Sequence, residues 1–298
     1  GSGYYVVDPE NWDPPSVPKP NFSVGWITGG LDQEEAGIYA STRLNIADPL
    51  KVILGGRLSW YKNTDMYSDD EYSENGKFIP YVGVVYDLND IFSVYGSYTS
   101  IFKPQYAYGV DGALVDPVEG DNKEIGIKGE FLGGRLNASV ALFGTNQKGL
   151  AVALEDVTYC NPVAYNCYET ADKIRTRGVE LEISGEIWNS LNLGFGYTYS
   201  QSKYVEGENS GDKYNTNKIP AHLFKLNAAY QLPGELENWT IGGGIRAQSK
   251  TYYQGSSFRI EQPAYAVVDL MARYKFNEQT EMQVNVNNLF DKEYYSSI

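Results

Sequence analysis

Few residues in this chain have side chains that could carry out covalent chemistry. The 298 residues include a single histidine, His222, which follows Pro220-Ala221 at the start of a predicted strand. A serine or cysteine triad needs a histidine base held by a third group, and nothing in the sequence supports one, so His222 is interpreted as structural. Residues 242–244, three consecutive glycines, are followed by no helix N-terminus that could cradle a phosphate. We therefore predict no catalytic site and no enzyme.

The two cysteines, Cys160 and Cys167, are predicted to form a disulfide bond. They lie in the polar, turn-rich stretch 159–168 and would close a small loop, which implies an oxidising compartment. A structural zinc site needs about four ligands, and the histidine is far away in sequence. We therefore predict no metal bound by protein side chains.

Aromatic residues are the other chemically notable group. The chain contains 26 Tyr, 11 Phe and 5 Trp with 31 Gly but only 3 Met. This balance is typical of strands whose rings lie at a membrane interface, although composition alone leaves a soluble all-β protein open. The longest uninterrupted apolar stretches are about five residues long, whereas a spanning helix needs roughly 20. The net charge of -14 argues against nucleic-acid binding.

The main structural signal is alternation of apolar and polar residues with a period of two. In residues 50–61 the apolar side chains of Val52, Leu54, Leu58 and Trp60 alternate with polar ones such as Arg57 and Ser59. Similar segments, about twelve in all, have the length of a strand that crosses a bilayer at a tilt, roughly 9–11 residues. The predicted strands are 35–46, 50–61, 78–88, 91–102, 123–132, 135–147, 177–187, 191–201, 223–232, 240–250, 264–276 and a segment from 280.

The connections between these segments alternate between short and long. Short ones occur at 47–49, 89–90, 133–134, 188–190, 233–238 and 277–278, and long ones at 62–77, 103–122, 148–173, 203–220 and 251–263. Short turns at one rim and long loops at the other are typical of outer-membrane barrels. The predicted fold is all-β, an antiparallel up-and-down transmembrane β-barrel, with Glu180 and Glu182 facing the lumen. Trp188, Trp239 and Tyr274 lie beside short turns, where a periplasmic aromatic girdle is expected.

Several stretches resemble TonB-dependent outer-membrane siderophore receptors of the ferric coprogen and ferric pyoverdine type. Residues 283–295, QVNVNNLFDKEYY, are similar to the penultimate strand and the "NNLFDKxYY" signature of that family. Other similar stretches are 38–60 with "LGGRxxW", 95–104 with "YxSYxxxFxP", 117–129 with "PxxGxxExGxK" and 177–185 with "RGVELE". The matching stretches occur in family order and cover nearly the whole chain.

The resemblance implies a receptor that imports a ferric siderophore across the bacterial outer membrane by TonB-dependent active transport. The family barrel has about 22 strands, so residues 1–298 are expected to be the C-terminal portion of the barrel domain. The plug domain, the segment that engages the TonB-type energy-transducing protein and the final strand are not found in this sequence. The transported siderophore carries the iron, and outer-membrane lipid surrounds the barrel.

The resemblance also suggests where the ligand binds. Residues 11–22, NWDPPSVPKPNF, are similar to an extracellular loop of ferric coprogen and ferric pyoverdine receptors, which implies a hydroxamate-type siderophore. Trp12 is therefore the first expected ligand contact. Tyr106 and Tyr108, just beyond the strand that ends near residue 104, and Tyr4 and Tyr5 are further ones, because aromatic rings offer rigid contact area with a polar tip.

Other functions remain open at this point. One alternative is a passive outer-membrane pore or adhesin of about twelve strands, which the conductance of the isolated chain in a bilayer would separate from a receptor. An outer-membrane enzyme of similar strand number would need Ser/His chemistry that the sequence lacks. Heme, cobalamin and catecholate ligands are alternatives to a hydroxamate, although an acidic outer face would repel a strongly anionic catecholate complex.

Overall fold

The computed structural model describes residues 31–65, 71–154, 167–171, 173–206, 210–214, 219–254 and 257–295. This part of the chain consists almost entirely of antiparallel strands, with one short 3-10 turn at Gly234–Leu236. Within these ranges no helix is long and apolar enough to cross a membrane.

Twelve strands form one sheet and four short ones form two separate hairpins. The sheet contains β1 (Leu31–Ala47), β2 (Leu50–Asp65), β3 (Glu71–Asp87), β4 (Phe92–Lys103), β5 (Val118–Phe131), β6 (Leu136–Lys148), β9 (Lys173–Trp188), β10 (Leu191–Glu206), β11 (His222–Gln231), β12 (Trp239–Gln248), β15 (Tyr265–Asn277) and β16 (Thr280–Val286). The hairpins are β7 (Leu150–Ala153) with β8 (Tyr168–Ala171), and β13 (Thr251–Gln254) with β14 (Arg259–Gln262).

The strands of the large sheet lie side by side in the same order as they occur along the chain. The chain therefore meanders from β1 to β16. This confirms the predicted all-β, up-and-down architecture and each of the twelve predicted strands. Within the described residues β1 and β16 do not pair with each other, so both edges of the sheet have backbone groups without a strand partner.

The register places side chains on two chemically different faces. On one face, Ile125, Leu142 and Val179 lie in a single row across β5, β6 and β9. On the opposite face, the row across the same strands contains Lys128, Ser139 and Glu182. The apolar face is the exposed one: Ile125 is 63% and Leu142 54% accessible. Because the wall is one strand thick, its apolar residues are covered by lipid rather than by a protein core.

The strands extend beyond their predicted ends on the side of the long connections. β3 begins at Glu71 rather than at residue 78, and β5 begins at Val118 rather than at 123. The two short hairpins also lie inside connections that we predicted as long loops. Outside the bilayer both faces of a strand meet water, so the alternation that reveals a strand in the sequence disappears while backbone pairing continues.

Aromatic side chains lie beside the short turns, as predicted for the periplasmic rim. Trp188 is 74% exposed next to the turn between β9 and β10. The rings of Trp239 and Tyr274 are 4.8 Å apart on adjacent strands. Phe92 and Phe131 form an edge-to-face pair at 5.6 Å. Together these rings mark one boundary of the apolar band.

Candidate functional site

The connection between β4 and β5 folds into a compact hairpin at the extracellular rim. The amide of Val115 donates to the carbonyl of Ala107 at 2.9 Å, and that of Gly109 donates to Ala113 at 2.8 Å. Gly112 near the tip has φ +79°, a left-handed conformation that glycine adopts without strain. The hairpin therefore has its own hydrogen-bonded framework.

Gln105 anchors this hairpin to the neighbouring β7–β8 hairpin. Its amide nitrogen donates to the carbonyls of Asp116 and Gly149, and its side-chain oxygen accepts from the amide of Ala151 at 3.0 Å. The amide of Tyr168 donates to the carbonyl of Tyr108 at 2.8 Å. Because both ends of the Gln105 amide group are engaged, the two hairpins are fixed relative to each other.

Tyr106 and Tyr108, both predicted as ligand contacts, form a pair on this hairpin. Their hydroxyl oxygens are 3.0 Å apart and their rings meet edge to face, with centroids 5.3 Å apart. Tyr106 remains 44% exposed. The structure thus brings these two rings together at the mouth as one aromatic surface with polar tips.

The other predicted contacts, Tyr4, Tyr5 and Trp12, lie outside the described residues, so their role stays a prediction. Cys167 is completely buried, and its carbonyl accepts a hydrogen bond from the amide of Leu154 at 2.8 Å. Cys160 lies outside the described residues, and its bond to Cys167 likewise stays a prediction.

The β13–β14 hairpin carries a second aromatic and charged group that we did not predict as a site. The guanidinium of Arg259 lies 4.0 Å from the ring centroid of Tyr252 and donates to Glu261 at 2.9 Å. This bond, with Lys250 nearby, holds the pKa of the Glu261 carboxyl below its usual value. The pairing depends on which residues face each other across the hairpin, information that the sequence pattern does not contain.

A third group, this time of two tyrosines, lies at the end of β10. The rings of Tyr204 and Tyr214 meet edge to face at 5.5 Å, held by the amide of Tyr214, which donates to the carbonyl of Ser202 at 3.0 Å. Burial raises the pKa of the Tyr214 phenol, and Tyr204 adds to the effect. These three groups therefore lie on separate connections of the described rim.

Below the rim, the inner wall of the sheet is polar and largely self-paired. The hydroxyl of Tyr95 donates to Glu124, and Lys128 lies 4.4 Å from the centroid of the Tyr95 ring. Lys51 pairs with Asp87, which also accepts from the Ser93 hydroxyl at 2.8 Å. Polar side chains occupy this face because it cannot lie against lipid.

The inner-wall charged groups divide into paired and unpaired ones within the described residues. Arg57 pairs with Glu35, Asp269 lies 3.9 Å from Arg246, and Arg273 lies 4.0 Å from Glu281. By contrast, Glu180 and Glu182 make no salt bridge within the described part of the chain. Without an ion-pair partner among the described residues, these two glutamates place negative charge on the lumen face of β9.

No group of three or more His, Cys, Asp or Glu residues among the described ranges is placed to hold a metal ion. His222 hydrogen-bonds through Nδ1 to the Tyr197 hydroxyl at 2.8 Å and contacts the ring of Tyr199, with centroids 4.9 Å apart. Both contacts are to aromatic side chains of the adjacent strand, which agrees with a structural histidine.

Residues 1–289 match the family described as TonB dependent receptor-like, beta-barrel. The chain belongs to this family. TonB-dependent receptors of this kind are outer-membrane β-barrel proteins, so the apolar outer face described above lies against the lipid of the outer membrane.

Several known TonB-dependent receptors are similar to almost the whole chain. The ferric-pyoverdine BN7/BN8 receptor of Pseudomonas putida is 40% identical over 295 residues, which are 96% of this chain and 34% of that protein. The ferripyoverdine receptor of Pseudomonas aeruginosa is 40% identical over 97% of this chain and 36% of its own length. A crystal structure of the latter bound to ferripyoverdine superimposes with a TM-score of 0.81, covering 95% of this chain and 38% of that one. The chain thus spans about a third of the length of these relatives.

Proposed function

We propose that this chain is part of a receptor that captures a ferric siderophore outside the cell and imports it by TonB-dependent transport. The observation that carries the proposal is the 40% identity to ferric-pyoverdine receptors over nearly every residue of the chain. Ferric pyoverdine is therefore the first siderophore to test. The hydroxamate class inferred from residues 11–22 is the second.

The rim groups supply suitable contacts for such a ligand. A ferric siderophore is a large, rigid body with apolar and carbonyl edges, and the Tyr106–Tyr108 pair offers ring faces with two hydroxyl tips. Arg259, stacked on Tyr252, adds a cation that can donate to ligand oxygens. In this proposal, Tyr106, Tyr108 and Trp12 contact the siderophore directly.

The inner wall would receive the plug domain that the family resemblance implies. Glu180 and Glu182 face the lumen on neighbouring pleats of β9 and would meet cationic groups of that domain. Work delivered by the TonB-type partner then displaces the plug and opens a path for the siderophore. The barrel contributes the wall and part of the binding site.

Equilibrium binding to the intact receptor tests this function. Ferric pyoverdine, a ferric trihydroxamate and each iron-free chelator are titrated against the purified full-length protein, with binding followed by quenching of tryptophan fluorescence. We expect at least one ferric complex to bind at least tenfold more tightly than its iron-free form, which corresponds to about 1.4 kcal/mol. Failure of every ferric complex to bind would overturn the proposal.

A passive pore is the second candidate, and the strand order argues against it. A self-sufficient barrel of these strands would need β1 to pair with β16, and within the described residues they do not pair. The isolated chain in a planar bilayer is therefore expected to give no stable single-channel conductance. A steady, partner-independent conductance would favour the pore.

A further inference from the structure

The outward face of three neighbouring strands changes abruptly from apolar to basic near the extracellular rim. The last apolar row consists of Ile125, Leu142 and Val179 on β5, β6 and β9. The next outward row on the same strands consists of Lys123, Gly144 and Arg177. Outward side chains recur at every second residue, so the two rows are separated by roughly 7 Å. A change this sharp indicates the boundary between hydrocarbon and lipid head groups.

Aromatic residues mark the same level of the wall. Tyr98 pairs in register with Lys123, whose ammonium lies 5.8 Å from the centroid of the Tyr98 ring. Tyr199 lies beside Val179, and Tyr197 with His222 completes a cluster on the outer surface of β10 and β11. Tyrosine and histidine rings with polar tips are typical of a membrane interface.

The distance of the Lys123 row from the periplasmic rim agrees with a position at the lipid head groups. Phe131 on β5 belongs to the aromatic group beside the short turns. The strand from Phe131 to Lys123 is roughly 27 Å long. With the tilt of a barrel strand, this length spans most of an apolar band about 25 Å tall. The Lys123 row therefore lies at the depth of the outer-leaflet head groups.

Gly144 creates an open notch between two cations. A Cβ atom placed on Gly144 would meet no atom within 4 Å. Lys123 and Arg177 lie on the two strands that flank β6, so their Cα atoms are roughly 10 Å apart across the notch. Both side chains are long enough to converge on one anion above Gly144, and the Lys123 side chain is 66% exposed.

The row above the notch adds further positive charge. Arg175 donates to the side-chain oxygen of Asn146 at 2.9 Å, and Lys203 lies beside it in register. The opposing charge is Asp121, which is 3.3 Å from Lys123. Arg177 and Lys203 form no salt bridge within the described ranges. This local excess of cations stands out in a chain whose net charge is -14.

We propose that Lys123, Gly144 and Arg177, with Lys203 above them, form a basic notch that binds the phosphorylated head group of an outer-leaflet lipid. The notch holds the phosphate, with the guanidinium of Arg177 donating two parallel hydrogen bonds. The acyl chains lie over Ile125, Leu142 and Val179. This lipid site is separate from siderophore capture and does not depend on which siderophore is bound.

Lipid binding to the intact receptor tests the notch. Full-length receptor in detergent is titrated with bisphosphorylated lipid A and with the same lipid after phosphatase treatment, and bound lipid is counted by native mass spectrometry. The notch is disabled in the variant Lys123→Gln with Arg177→Gln. The matched control, Lys225→Gln with Arg246→Gln, removes the same charge from adjacent inner-wall positions on β11 and β12. Gly144→Val fills the notch without changing charge.

We expect the wild-type receptor to prefer the phosphorylated lipid, and this preference to fall about thirtyfold in the notch variant but not in the control. Gly144→Val should lower it as well, and in the wild type it should weaken as ionic strength rises. Equal binding of both lipids by wild type, or equal losses in notch and control variants, would overturn the site. A preference of the wild type that does not weaken as ionic strength rises would also overturn the site.

Discussion

At the scale of single residues, the structure distinguishes side chains that face lipid, lumen and solvent. The alternation in residues 177–187 correctly assigned Glu180 and Glu182 to the polar face, because a side chain's face follows from its position along the strand. The contacts between side chains could not be predicted from the sequence in the same way. The Tyr106–Tyr108 contact and the stacking of Arg259 on Tyr252 depend on loop conformation and hairpin register. The sequence therefore predicts which face of the sheet a side chain lies on more reliably than it predicts which residues that side chain contacts.

Replacing Tyr106 tests its role at the mouth. Tyr106→Ala removes the exposed ring, and we expect ferric siderophore affinity to fall about tenfold, within the range of a lost aromatic contact. Tyr106→Phe removes only the hydroxyl that faces Tyr108, and it should lower affinity by about threefold or less. Isothermal titration of the intact receptor measures both. Unchanged affinity in Tyr106→Ala would remove the tyrosine pair from the site.

A substitution at Gly178 tests how closely the residues of the barrel wall pack. A Cβ atom on Gly178 would lie 2.3 Å from the carbonyl oxygen of Tyr199 and 2.3 Å from the ring of Phe143, whereas one on Gly196 would meet nothing within 4 Å. Gly178→Ala is therefore expected to destabilise the barrel by about 1–3 kcal/mol. Gly196→Ala, on the same inner face, should change stability by about 1 kcal/mol or less. Urea unfolding in lipid vesicles measures both, and equal stabilities would contradict the packing described here.

At the scale of elements, each strand has one part inside the bilayer and one part outside it. The inside part was predictable, because hydrocarbon on one face and water on the other impose strict alternation. The outside part, such as residues 71–77 of β3, and the short hairpins β7–β8 and β13–β14 were missed, because their pairing rests on backbone hydrogen bonds that leave no periodic signal. A charged substitution inside the bilayer is nevertheless expected to destabilise the receptor on the outward face and to have little effect on the inward face.

Leu181 and Thr198 provide that comparison on paired strands. Leu181 faces outward near the middle of β9, and Thr198 faces inward on β10 opposite Glu180. Leu181→Arg is expected to destabilise the folded receptor by about 2–4 kcal/mol, whereas Thr198→Arg should have little effect beside Glu180, which makes no salt bridge to any described residue. Refolding into vesicles at increasing urea concentration measures the difference. A larger loss in Thr198→Arg would mean that the two faces have been exchanged.

At the scale of the whole molecule, the described sheet is a curved wall whose edges, β1 and β16, have no strand partner within the described ranges. We predict about 22 strands in the whole receptor, with the remainder closing the barrel. Fold class and membrane location followed from strand length, alternation and loop asymmetry. The ligand did not, because the expected contact Trp12 lies outside the described residues and because the chain spans about a third of the length of its relatives.

The most direct test of this account is the accessibility of single spin labels along β9 in the intact receptor reconstituted in lipid. With Cys160 and Cys167 replaced by serine, one label at a time is placed at Val179, Glu180, Leu181, Glu182, Ile183 and Ser184. Relaxation by oxygen, which concentrates in hydrocarbon, should be strong at Val179, Leu181 and Ile183 and weak at Glu180, Glu182 and Ser184. Relaxation that is uniform along the segment, or that repeats with the period of a helix, would contradict the account.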